Sequence, residues 1–341
     1  MGETTKRDVV LAALNFQKPP YVPWSWGMTH ACRKRLAERL GGTDLDAWQD
    51  DHFAGVSARW PGMHEVQPGH FRDAWGVVWD RTVDKDIGTP VDWPIRRPED
   101  LAAYEYPEAD DEALYEGLAA HREAAREKFC LYAIGFSLFE KAWSLRGMTE
   151  LLTDMVERPE LVEHLLDAIV ESNLKQVRRA LELDVDCVYF GDDYGMQHGL
   201  IMGPVLWRQF IKPRLARMFE PVRSAGKYVM MHSCGDVDEL FDDLAEVGLN
   251  LFNPFQPEAM DVFALLEQYR GKLAFHGGMS TQHTLPYGTA EEVAEATAKL
   301  LAAGAEGGYI FAPAHAVPGD VPAENLLAMQ ETLTAQSGYS G

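Results

Sequence analysis

The feature that most constrains the fold is an alternation that sets in near residue 129 and runs almost to the end of the chain. Short apolar runs, each long enough for one buried strand, are followed by stretches with helical spacing. The runs fall at 130–135, 186–191, 228–231, 250–254, 272–276 and 308–312. A helix over 111–128 leads into the first run. Further helices are predicted over 159–183, from Pro204, after Asp236, over 258–270, from Thr289 and over 322–335. Thr289 with Glu292 forms a capping box, and Asp236 with Glu239 fits an N-cap. Six successive β-then-α units imply a parallel sheet. Two more strands from residues 20–80 would complete an α/β fold, a (β/α)8 TIM barrel with N-terminal additions, which takes about 250 residues. A doubly wound open sheet is the alternative.

Ahead of this alternation the chain is less regular. Thr4 or Thr5 can cap a helix over 6–15 with Val9, Val10, Ala13 and Leu14 on its apolar side, and a second helix over 29–40 ends at Gly41-Gly42. Residues 60–98 are rich in Trp, Gly and Pro and predict a hairpin around 76–79, as cover for the sheet. The expected organisation is a single domain over 1–341. About 1–128 supplies N-terminal helices, loops and first strands, and about 129–341 the regular units.

Almost every predicted strand ends in polar residues. Ser137 and Glu140 follow the first; Asp192, Asp193 and Tyr194, with Gln197 just beyond, follow the second. His232 and Cys234 end the third, Asn253 and Gln256 the fourth, His276 and Gln282 the fifth, and His315 the last. In a barrel these would converge on one mouth, where ligands bind. His232 and Cys234 supply two donors of the kind zinc favours, and His315 is the best third, with Glu140, Asp192, Asp193 or His276 beyond it. The plainer alternative makes Cys234 a buried small apolar residue and His232 a partner of a neighbouring strand. Asp192 and Asp193 suit general acid–base work, metal ligation or substrate grip; a turn cap or a hold on a histidine N–H is the structural alternative.

Composition narrows the partners. A formal net charge of −22 argues against nucleic acid and anionic membrane surfaces. The four cysteines, Cys32, Cys130, Cys187 and Cys234, are scattered and do not resemble a disulfide framework. The N-terminus lacks the apolar core of a signal peptide, and no apolar run is long enough to span a bilayer, so a cytoplasmic protein is expected.

The motifs GDDYGMQ, WRQFIKPRL, MMHSCGD, HGGMST and APAHAVPGDVPAENLLAM, in that order, resemble the uroporphyrinogen decarboxylase superfamily. The resemblance implies a (β/α)8 barrel and either a true decarboxylase or a zinc-dependent methyltransferase working with corrinoid proteins and thiol acceptors. The decarboxylases' substrate-binding arginine pair has no counterpart in 22–28, and Trp143 stands where their tyrosine is expected. The methyltransferase branch is therefore the better match. It carries His-x-Cys where His232 and Cys234 stand, with a later cysteine as third zinc ligand; His315 occupies that place. In the decarboxylases a histidine there touches substrate, so the resemblance leaves His315 between the two roles.

The expectation is a zinc-dependent methyltransferase moving a methyl group between a small methylated substrate and a corrinoid or thiol acceptor. Zinc is bound by His232, Cys234 and His315, and a corrinoid protein is the expected partner. Asp192, Asp193 and His315 are the candidate catalytic residues. Glu140, Tyr194, Gln197, Asn253, His276, Trp24 and Met28 are the candidate substrate-binding residues, with Trp26 and Trp75 in the cover. A metal-independent decarboxylase or lyase of a smaller acid, and a non-catalytic corrinoid or tetrapyrrole binder, are the rival expectations. A homodimer is compatible with either.

Overall fold

The computed structural model describes residues 4–340. Strand β1 (Phe53–Val56) is followed by four short strands, β2 (His64–Gln67), β3 (His70–Arg72), β4 (Val78–Asp80) and β5 (Thr89–Asp92), which form an antiparallel sheet of their own. The expected hairpin is the β3–β4 pair, with Phe71 opposite Trp79. Then come β6 (Phe129–Ile134), β7 (Cys187–Gly191), β8 (Tyr228–His232), β9 (Leu251–Phe255), β10 (Ala274–Met279) and β11 (Tyr309–Pro313). With β1 they make a curled parallel sheet of seven strands in the order β1-β6-β7-β8-β9-β10-β11. Helices separate the strands from β6 onward, the longest being Pro159–Glu182 and Ala290–Gly304.

The two edges of this sheet meet the same stretch of chain. Ser25 donates its N–H to the Phe311 carbonyl at 3.1 Å, Phe311 donates to Pro23 at 2.9 Å, and Trp24 accepts from His52 at 3.1 Å. Of the two strands expected from residues 20–80, β1 forms fully and the other is this single bridge at Trp24. Pro19, Pro20 and Pro23 have no N–H to donate, which limits any longer ladder.

The strands are apolar on both faces because both are covered. Val10 and Leu14, from the helix Lys6–Leu14 capped by Thr5, pack with Phe129, Cys187, Met230, Leu251, Ala274 and Ile310. That cluster draws one residue from each strand between β6 and β11, near the strand starts, and fills that end of the sheet. The opposite, C-terminal end carries the polar residues.

Three helix expectations shift. The helix over 111–128 is two pieces, a 3-10 turn over Glu112–Tyr115 and a helix over Leu118–Ala124, because Gly117 adopts φ 77° between them. The helix over 258–270 is shorter, Val262–Gln268, capped by Asp261. Asp236 does not cap a helix: its carboxylate accepts from Gly199 N–H at 3.0 Å, and the helix begins only at Phe241. No helix is long and apolar enough to cross a membrane among the described residues.

Candidate metal centre

β8 delivers His232 as its last residue, in register with Gly191 of β7 and Asn253 of β9. Cys234 follows on a loop whose course is set by backbone bonds. Asp192 donates its N–H to the His232 carbonyl at 3.0 Å, Gly195 donates to Cys234 at 3.2 Å, and Asp236 donates to Met196 at 2.7 Å. The two loops cross so closely that glycine is required on both. A Cβ on Gly195 would lie 2.5 Å from the Cys234 oxygen, and one on Gly235, where φ is +85°, would lie 2.5 Å from the Gly195 carbonyl carbon. The GDDYG and HSCGD patterns are thus the two halves of one crossing.

At this crossing the donor atoms of His232, Cys234 and His315 all lie within 4.8 Å of one another. Cys234 Sγ is 3.2 Å from His232 Nε2, and the rings of His232 and His315 meet edge-on with centroids 5.9 Å apart. Zinc–donor bonds of about 2.0–2.3 Å in tetrahedral geometry put neighbouring donors roughly 3.3–3.8 Å apart. Two nitrogens and a sulfur at this spacing fit zinc with small side-chain movements. His232 and Cys234 are half-buried and His315 is exposed, which leaves one side of the cluster open to a small molecule. A cleft of about 330 Å³ lies there, lined by Gln197, Cys234, Gln256, Gln282 and His315 among others.

A chain of hydrogen bonds orients the imidazole. His276 Nε2 lies 2.7 Å from the Ser25 carbonyl, which only accepts, so that nitrogen carries the proton. Its Nδ1 then accepts from Asn253 Nδ2 at 2.9 Å, and Asn253 Oδ1 faces His232 Nδ1 at 2.7 Å. His232 Nδ1 is accordingly the protonated nitrogen, and Nε2 presents its lone pair to Cys234 and His315. Burial lowers the His232 pKa against the opposing pull of Asp193, and burial lowers that of His276 to about 4, so both rings are neutral near pH 7. Burial, with the charges of Asp193 and Glu140, pushes the Cys234 thiol well up. A cation at the cluster reverses that balance.

The two aspartates part company. Asp193 is half-buried, accepts from Cys234 N–H at 2.7 Å and has Oδ1 3.6 Å from His232 Nε2. Asp192 is fully buried and accepts from Phe139 N–H at 2.8 Å, Glu140 N–H at 2.6 Å and the Tyr194 phenol at 2.8 Å. It fastens the start of the helix Phe139–Arg146 to the end of β7. Burial raises its pKa against those three donors, and burial together with Asp192 and Asp193 raises that of Glu140.

Of the remaining candidates, Asn253 and His276 form the relay behind His232, and Gln197 reaches the Glu258 carbonyl at 3.0 Å on the rim. Met28 is half-buried and bridges Val317 beside the His315 loop. Tyr194 and Trp24 are fully buried, with Tyr194 spent on Asp192 and the Trp24 indole donating to the Gln49 carbonyl at 2.9 Å. These two act through packing and do not reach the cleft. Cys32, Cys130 and Cys187 are buried, away from the cluster. Sequence reasoning missed Ser25, whose carbonyl starts the relay from 251 residues away, and Lys141, a buried lysine one residue after Glu140. Only Lys141 left a signal: a cation in the first turn of a helix, where the dipole disfavours it.

Comparison with known proteins bears on the family and the fold. A search of curated proteins returned no match. Among solved structures, a methyltransferase from Methanosarcina mazei superposes with a TM-score of 0.74 at 18% identity, over 97% of this chain and 98% of its own. A sugar phosphate isomerase/epimerase from Parabacteroides distasonis aligns over 94% of this chain and 98% of its own, with a TM-score of only 0.43 and 10% identity. The family model for uroporphyrinogen decarboxylase (URO-D) matches residues 80–336, which include the crossing loops and His232, Cys234 and His315. With its polar strand ends gathered at one end of a curled parallel sheet, the chain belongs to the uroporphyrinogen decarboxylase family.

Proposed function

We propose that the protein is a zinc-dependent methyltransferase of this family, moving a methyl group between a small methylated substrate and a thiol or a protein-bound corrinoid. The observation that carries the proposal is the approach of His232, Cys234 and His315 to within 4.8 Å at the open end of the sheet. The methyltransferase from Methanosarcina mazei, alike in fold over nearly the whole of both chains, agrees with it. In this reading the bridge at Trp24 stands in for the eighth strand of a (β/α)8 barrel, and residues 1–341 act as one domain.

His232, Cys234 and His315 would hold the ion and leave a fourth position toward the cleft. Zinc bound there supplies Lewis acidity, which stabilises a thiolate at neutral pH or polarises a methylated substrate. Asn253 keeps His232 in the ligating tautomer. Asp193 fixes the Cys234 backbone and places negative charge beside the donors. Gln197, Gln256 and Gln282 line the cleft with neutral polar groups that can orient a small substrate.

Metal analysis of protein purified without chelator tests the proposal. About one zinc per chain is expected, falling sharply in Cys234→Ala and His315→Ala, with methyl transfer from methylcobalamin to a small thiol lost in parallel. Wild-type protein without bound zinc, or transfer that persists in EDTA and in Cys234→Ala, would overturn it. Turnover of a small carboxylic acid under those metal-free conditions would point to the decarboxylase reading instead.

A further inference from the structure

A second cavity, of about 380 Å³, lies where the ends of β1 and β6 meet the antiparallel sheet. Its walls are aromatic: Trp60, Trp75, Trp79 and Phe136 line it, with Trp60 and Trp75 centroids 5.8 Å apart and Trp79 edge-on to Phe136 at 5.3 Å. His232, Cys234 and His315 take no part in the lining.

One side chain in this cavity is out of keeping with its walls. Lys141 is 9% exposed, and its Nζ stands 4.5 Å from the centre of the Trp75 ring and 5.8 Å from that of Phe136. Among the described residues no carboxylate lies within 4.0 Å of that nitrogen, and none accepts a hydrogen bond from it. The nearby Asp73 is already committed. It accepts from Trp75 N–H at 2.9 Å, Val77 N–H at 3.0 Å and the Trp79 indole at 2.9 Å. Burial draws the Lys141 pKa down to about 8, so the amine is still largely charged at pH 7. A largely buried ammonium that rests on ring faces, with Asp73 and Glu140 acting on it only through space, costs stability unless a ligand completes it. Its place in the first turn of the helix Phe139–Arg146 adds to that cost.

We propose that this cavity binds a planar aromatic monocarboxylate, with the carboxylate on Lys141 Nζ and the ring among Trp60, Trp75, Trp79 and Phe136. A single cation calls for a single negative charge. Asp73 and Asp86 in the lining, and the net charge of −22, oppose anything more anionic. Flat indole walls favour a flat apolar body, through offset or edge-to-face contacts. The size lies at the lower end of the range for small-molecule sites. The assignment rests on this cavity alone and is independent of zinc and of methyl transfer.

Calorimetric titration of the full-length protein tests it, with benzoate, benzyl alcohol and cyclohexanecarboxylate as probes. Benzoate binds saturably, and benzyl alcohol, which lacks the charge, binds at least about tenfold more weakly. Lys141→Met weakens benzoate by about 10- to 100-fold while leaving the chain folded, since it removes an unpaired buried charge. Cys234→Ala leaves benzoate affinity unchanged. The proposal fails if benzoate gives no saturable binding, if benzyl alcohol or cyclohexanecarboxylate binds as well, or if Cys234→Ala abolishes binding. Should Lys141→Met not fold, the comparison among the three probes on wild-type protein decides.

Discussion

His232 Nδ1 and Asn253 Oδ1 stand 2.7 Å apart, across the register that pairs the last residue of β8 with the middle of β9. That bond makes the His232 nitrogen facing Cys234 a lone-pair donor. Removing it with Asn253→Leu should lower zinc affinity by about 10- to 100-fold with the ligands themselves intact. Competition against a chromophoric chelator measures this; an unchanged affinity would show that the relay does not orient the ring.

The loop crossing gives a second expectation. Gly235→Ala places a Cβ 2.5 Å from the Gly195 backbone at a φ of +85°, so both sterics and dihedral oppose it. The substitution should cost about 2 kcal/mol or more and weaken zinc binding through the displaced Cys234. Urea denaturation and metal titration of the same variant check the two effects together.

Asp192 should behave as a positioning residue. Asp192→Ala strands three buried donors and should cost about 3 kcal/mol or more, whereas Tyr194→Phe removes one bond and should cost about 1 kcal/mol. Chemical denaturation distinguishes them. A stable Asp192→Ala variant that had lost only turnover would instead make Asp192 a participant in the chemistry.

Lys141 gives a pH signature. Its folded-state pKa, about 8, lies below the ordinary 10.5, so between those values the unfolded chain holds more protons. The destabilisation is present in full below pH 8 and fades as pH rises toward 10.5. Lys141→Met should raise stability at pH 7 by about 3 kcal/mol. Its advantage should vanish by the upper end of that window, as followed by denaturation at several pH values.

Much of this was legible in the chain because two periods repeat without interruption. The apolar runs gave six strands of the parallel sheet, and their polar ends brought His232, Cys234 and His315 to one place. The sequence could not show how partners are shared. Asp192 and Asp193 are adjacent and chemically identical, yet one is spent on a helix start and a phenol while the other faces the donors. Trp24 reads as a substrate-binding aromatic residue and is instead the bridge between the sheet's two edges. Lys141 does not stand out in the sequence because a lysine on a helix is ordinarily solvated. Only the approach of Trp75, far earlier in the chain, makes it a buried cation.

The stretch from Trp24 to Thr29 touches the site at two points. The Ser25 carbonyl receives His276, and Gly27 and Thr29 exchange backbone bonds with Val317, two residues beyond His315. His232 ends β8 and Cys234 lies on the loop just past it, but the tautomer of His232 and the placement of His315 are tied to this segment. If the proposed zinc site is occupied, its completeness would report on docking: a chain whose sheet is formed while this segment is undocked would hold two donors and no complete site. Zinc, bound there as proposed, would in turn act as a clasp between the segment and the sheet, so that metal release and local opening would be coupled.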